Sequence, residues 1–135
     1  MNKYSQQGWS MGSLILVLVL VAFFMLCAFK LVPVYVENYY ITNGLQRLGD
    51  DPEKLQSASK AQILKDLQHY FLINNVRSPA SKRIEIERTS DGVLVINQYE
   101  TRVPLFANID VILSFHNVLN SARPDDCCAV PATSK

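Results

Sequence analysis

The sequence predicts an α+β protein: a long N-terminal transmembrane helix that continues out of the bilayer, a second packed helix, and a three-stranded antiparallel β-meander. Three observations lead there. Leu14 to Phe29 is an unbroken run of sixteen apolar residues. Ile63, Leu64, Leu67, Tyr70 and Phe71 recur at i, i+1, i+4, i+7 and i+8, which lines one face of a helix. The last third of the chain then alternates apolar and polar residues in three stretches, the period of half-buried strands.

The apolar run, extended by Met11-Gly12-Ser13 before it and Leu31 to Val36 after it, can cross a hydrocarbon core about 30 Å thick at about 1.5 Å per helical residue. A secretory signal core is shorter and ends in a small-x-small cleavage site. Phe29-Lys30-Leu31-Val32-Pro33 offers none, so the segment reads as a retained anchor. Lys30 is placed to snorkel to the headgroups. A short leading tail ordinarily stays cytoplasmic, which puts the rest of the chain outside. The expected organisation is a tail over residues 1–10, a span over 11–36, an exported α+β domain over 37–121 and a flexible tail over 122–135.

Beyond the span, Tyr35, Val36, Tyr39, Tyr40, Leu45 and Leu48 continue an apolar stripe at helical spacing. Pro33 is a candidate kink. The tyrosines suit either an interfacial belt or core contacts. Gly49-Asp50-Asp51-Pro52 is a stop signal, after which Asp51 caps a short turn with Pro52 at its first position. Ser59-Lys60-Ala61-Gln62 reads as a capping box for the second main helix, and Asn74-Asn75 ends it. Arg83 to Arg88, Val93 to Val103 and Ile109 to His116 are the strands, with a turn at Ser90-Asp91-Gly92 and a loop over Pro104 to Asn108.

A formal net charge of +1 excludes nucleic acid as the main partner, because no basic stripe exists to neutralise phosphates. Cys27 reads as a small apolar residue of the span. Cys127 and Cys128 are adjacent, and neighbouring cysteines rarely bridge each other; a disulfide to another chain is the alternative. His69 and His116 stand apart without metal-ligand spacing, and no serine sits in a nucleophile-elbow setting. The sequence is therefore read as non-enzymatic, with no cofactor and no metal. The candidate interaction surface is Glu100, Arg102, Pro104, Leu105, Phe106 and Asn108. Glu100 and Arg102 share a strand face, within reach of Arg83, Glu85 or Glu87 on a neighbouring strand. Pro104 either ends the strand and turns Leu105 and Phe106 into the core, or helps form an exposed apolar tip that docks on a partner.

Two resemblances add to this reading. Gln7-Gly8-Trp9-Ser10-Met11-Gly12-Ser13-Leu14 resembles the processing site of type IV pilins and pseudopilins, and a long helix followed by an antiparallel sheet is similar to a pilin subunit. That resemblance implies cleavage between Gly8 and Trp9. The pilin pattern places Glu at the fifth mature position, where this chain has Ser13; the carboxylate that neutralises a neighbour's amine in an apolar filament is missing. An uncleaved signal-anchor is the alternative. More of the chain, up to about Leu119, resembles a small bacterial inner-membrane family of unknown function, typically encoded beside signal peptidase I and ribonuclease III. The resemblance rests on Tyr99-Glu100-Thr101-Arg102-Val103-Pro104-Leu105-Phe106-Ala107-Asn108-Ile109-Asp110, on Phe115, and on Phe71-Leu72-Ile73-Asn74-Asn75-Val76. It implies a single-span inner-membrane protein with a periplasmic domain and no assigned activity. The expected role is an accessory or interaction module of a cell-envelope complex. Its expected partners are the lipid bilayer and either another envelope membrane protein or a second copy through the span. The alternative is an atypical minor pilin or pseudopilin.

Overall fold

The computed structural model describes residues 10–128. Gly8 and Trp9, the candidate processing site, lie outside them. Helix α1 (Met11–Gly49) is one unbroken element of 39 residues, about 58 Å long at the helical rise. Ser10 caps its start by accepting from the Ser13 amide. The helix passes through Pro33, which removes the amide that would donate to the Phe29 carbonyl. Its first half is bare: from Met11 to Lys30 every residue is exposed except Cys27. Its composition makes α1 long and apolar enough to cross a membrane.

The second half of α1 is built into the domain. Shielded positions begin at Cys27 and recur at Leu31, Val34, Asn38, Ile41, Leu45 and Leu48, alternating steps of four and three that keep one stripe facing one partner. This differs from the expected stripe. Tyr35, Val36 and Tyr39 are exposed, and only Tyr40, Leu45 and Leu48 of the expected set pack against the core.

Helix α2 (Pro52–Ser57) is capped by Asp51, and helix α3 (Lys60–Ile73) by Ser59, whose hydroxyl accepts from the Gln62 amide. α3 buries Ile63, Leu67 and Phe71. It runs back along α1, and Gly44 permits the close approach: a Cβ there would meet the Tyr70 ring at 2.9 Å. The end of α3 explains the Phe71 to Val76 motif. The Val76 amide donates to the Phe71 carbonyl, the Asn75 amide to the Leu72 carbonyl, and Asn75 takes a positive φ of 59°. That is a Schellman stop, and its apolar pair, Phe71 and Val76, is buried. A 3-10 turn over Pro79–Lys82 leads to the sheet.

The sheet has the order β1 (Ile84–Thr89), β2 (Gly92–Phe106), β3 (Ile109–Asn120), all antiparallel. This is the expected α+β architecture, with one difference. β2 and β3 are longer than their patterns imply, and Pro104 lies inside β2, paired with Asp110. The reason is tertiary. β1 pairs with β2 only from Gly92 to Asn97, so β2 has a free edge from Gln98 onward, where a missing amide costs no ladder bond. The loop expected over residues 104–108 shrinks to Ala107-Asn108. After β3 the chain, expected to trail off from Ala122, makes a 3-10 turn at Pro124–Asp126, and the Cys128 amide donates to the Val118 carbonyl at 2.8 Å. Cys127 and Cys128 are joined by a disulfide, contrary to the expectation for adjacent cysteines.

Candidate interaction surface

The β2–β3 hairpin descends α1 from the core toward the apolar run. At its root, Val95 and Leu119 are cross-strand partners in the core with Ile41 and Leu45. Midway, Asn38 accepts from the Tyr99 hydroxyl at 3.2 Å and from the Asn117 amide at 2.8 Å. Tyr99 stacks on Phe115 with centroids 5.1 Å apart, and Phe115 meets the edge of Tyr35 at 5.7 Å. Near the tip, Lys30 donates its ammonium to the Pro104 carbonyl at 2.6 Å. Lys30 is thus tied to the hairpin as well as placed at the end of the apolar run.

The six expected surface residues fall into two groups. Glu100 and Arg102 lie on the outer face of the sheet, away from α1. Their partners come from β3, because β1 has already ended: the Ser114 hydroxyl donates to Glu100 at 3.0 Å, and Asp110 faces Arg102 at 3.9 Å. The expected pairing with Arg83, Glu85 or Glu87 is not made. The Arg102–Asp110 pair is solvent-exposed and worth at most about 1 kcal/mol. Pro104, Leu105, Phe106 and Asn108 form the tip. Leu105 sits at a register shift in the ladder and is half-buried, whereas Phe106 is 69% exposed. The tip is therefore an apolar projection and does not turn Phe106 into the core. Ala107 makes its reversal at a positive φ of 47°, uncommon for alanine.

Beside the free edge of β2 lies a cleft of about 520 Å³, lined by Arg83, Glu85, Ile96, Gln98, Tyr99 and Glu100. An unpaired strand edge flanked by alternating charges is suited to receive an extended segment of another chain. Tyr99 borders this cleft with its hydroxyl turned inward. Burial, and then the charge of Glu37, push its pKa above the ordinary tyrosine value. Its phenol is a neutral hydrogen-bond donor. Among the described residues, no three His, Cys, Asp or Glu side chains converge as a metal site would require.

Several residues that hold this surface in place carry no motif. Glu37 accepts from the Arg77 and Ser78 amides at 3.0 and 2.8 Å, pinning the segment after α3 to α1. Asn97 donates to the Ala80 and Arg83 carbonyls at 2.8 and 2.9 Å, while its own buried carbonyl oxygen is left without a partner. The one sequence signal was parity: Asn97 stands between Val95 and Tyr99 on the inward side of β2.

A small α+β domain clasped to one end of a long apolar helix defines the class. The match to known families places it further: residues 30–115 match the model of a domain of unknown function, DUF4845, and the chain belongs to that family. No curated protein and no solved structure matches the chain.

Proposed function

We propose that the chain is a single-pass, non-enzymatic membrane protein that holds a small recognition domain against the bilayer, as an accessory module of a cell-envelope complex. One observation carries the reading. α1 is a single helix, bare over most of the apolar run, partly shielded from Leu31 and packed into the domain core from Tyr40 onward, so anchor and domain form one body with no linker between them. A tether meant only to retain an enzyme needs no such continuity. The partner-binding region is the outer face at Glu100 and Arg102 with the free edge of β2 beside it, where strand addition supplies affinity and the flanking charges supply register. The domain faces the periplasm and the N-terminus the cytoplasm, the arrangement that the family resemblance implies. The gene neighbourhood implied by the family resemblance, beside signal peptidase I, agrees with an envelope role.

Site-specific photo-crosslinking in cells tests this, with the probe replacing Arg102 on the sheet and Val17 in the span. A discrete heterologous product from position 102 is the expected result. A ladder of self-crosslinked species from both positions would instead favour the second reading, a minor pilin or pseudopilin, which the long helix with a sheet on its distal half also fits. Ser13 weighs against that reading: its hydroxyl is spent on the Ser10 carbonyl at 2.7 Å, and it has no charge to offer a neighbouring amine.

A further inference from the structure

The hairpin is positioned against α1 by four contacts at successive heights: the core at Ile41 and Leu45, Asn38 with Tyr99 and Asn117, Tyr35 with Phe115, and Lys30 with Pro104. The chain continues past the last of these. Leu105 and Phe106, at roughly 3.3 Å per residue, carry the tip about one helical turn beyond Lys30, to the level of Cys27. Cys27 is where shielding of α1 begins, and it lies inside the apolar run. Two large apolar side chains at this level are uncovered, Phe106 at 69% and its cross-strand partner Ile109 at 60% exposure, with the exposed Asn108 in the turn between them. In water that exposure is unfavourable, and nothing in the domain's own fold requires an aromatic residue there.

We infer that the hairpin tip is a second membrane contact, in which Phe106 and Ile109 enter the boundary between headgroups and acyl chains beside α1. This rests on the reading of α1 as a membrane span. The occupant is lipid because the tip sits beside the last turn of the apolar run, just past Lys30, whose ammonium gives one donor to the Pro104 carbonyl and keeps others for headgroup phosphates. A span alone leaves a domain free to rotate about the helix axis and to tilt. A second contact offset to one side fixes both, and so presents the Glu100 and Arg102 face at a set angle to the membrane.

Tryptophan depth measurements on the full chain in phosphatidylcholine–phosphatidylglycerol vesicles with brominated acyl chains test the inference. The chain has one tryptophan, Trp9, so the background is Trp9→Phe, into which Val17→Trp, Phe106→Trp, Ile109→Trp or Asp91→Trp is introduced singly. Asp91 lies in the β1–β2 turn at the opposite end of the domain. The expected result is at least twofold quenching at positions 17 and 106 and none at 91. Ile109→Trp repeats the measurement across the hairpin should Phe106→Trp disturb the fold. Quenching at 17 without quenching at 106 or 109 overturns the inference and leaves the anchor intact; a blue-shifted but unquenched tryptophan at 106 would show that protein covers the tip. Quenching at 91 as well would mean the whole domain lies in the membrane, which overturns the inference too. No quenching at 17 removes the anchor and the inference together.

Discussion

The two halves of α1 are continuous in backbone but opposite in how they are stabilised. From Met11 to Phe29 nearly every side chain is apolar and exposed, with no face preferred, so neither an amphipathic stripe nor a tertiary partner supports this half. From Leu31 to Gly49 the helix carries charges, amides and tyrosines, and only one stripe is buried. The first half has the length and composition to cross a membrane, where surroundings would be uniform and apolar; the second is shaped by having the domain packed along one side. Pro33 lies close to where one regime gives way to the other.

The contrast predicts that damage to one half leaves the other intact. Leu45→Ala removes a fully buried side chain from the distal half and is expected to destabilise the domain by about 2 to 5 kcal/mol, read from urea unfolding followed by tyrosine fluorescence. Membrane retention should not change. Leu20→Arg is the reciprocal change, costing about 2.5 to 3.5 kcal/mol of insertion free energy at the centre of the run. Fractionation after alkaline extraction should show more of the chain released, with the urea midpoint of the released domain unmoved. If Leu20→Arg lowered that midpoint as much as Leu45→Ala does, the apolar half would be part of the core and the comparison would fail.

The seam between α1 and the sheet gives a smaller effect with a pH signature. Tyr99→Phe removes the hydroxyl that donates to Asn38, a loss of about 0.5 to 1.5 kcal/mol near neutral pH. Burial and Glu37 raise the Tyr99 pKa in the fold, so the fold favours the neutral phenol. That contribution is complete below the unfolded value of about 10 and is lost as pH climbs toward the higher folded value. Stability of the parent chain should therefore fall above pH 10 more steeply than that of Tyr99→Phe. Parallel curves would mean that Tyr99 is solvated and the seam is open.

The sequence made the local features legible and hid the ones that depend on distant partners. The caps at Asp51 and Ser59, the apolar face of α3 and the stop at Asn74-Asn75 are written within a few residues of where they act. Which side of distal α1 packs is not, because Tyr35, Val36 and Tyr39 are as apolar as the residues that are buried. Polar partners from far along the chain settle it: Glu37 with the amides of Arg77 and Ser78, Asn38 with Tyr99 and Asn117. Pro104 reads as a strand end until it is known that β1 stops opposite Asn97 and leaves the edge free. Glu100 and Arg102 were legible as an exposed pair, but their partners Ser114 and Asp110 follow from the register of β3.

The smallest predicted effect bears on the hairpin tip, where the two regimes meet. Ala107 adopts a positive φ of 47°, a conformation that costs an L-residue about 1 to 2 kcal/mol and glycine almost nothing. Glycine adds back about 0.4 to 1 kcal/mol through the greater freedom of the unfolded chain. The net expectation for Ala107→Gly is a gain of about 0.5 to 1 kcal/mol in urea unfolding, provided the Ala107 methyl touches nothing of consequence. A loss would show that the methyl itself is packed, so that the chain retains an alanine in an unfavourable conformation for the contact it makes. Repeating the measurement in detergent micelles and in vesicles locates that contact. A gain in micelles that becomes a loss in vesicles would place the tip against the bilayer rather than against α1.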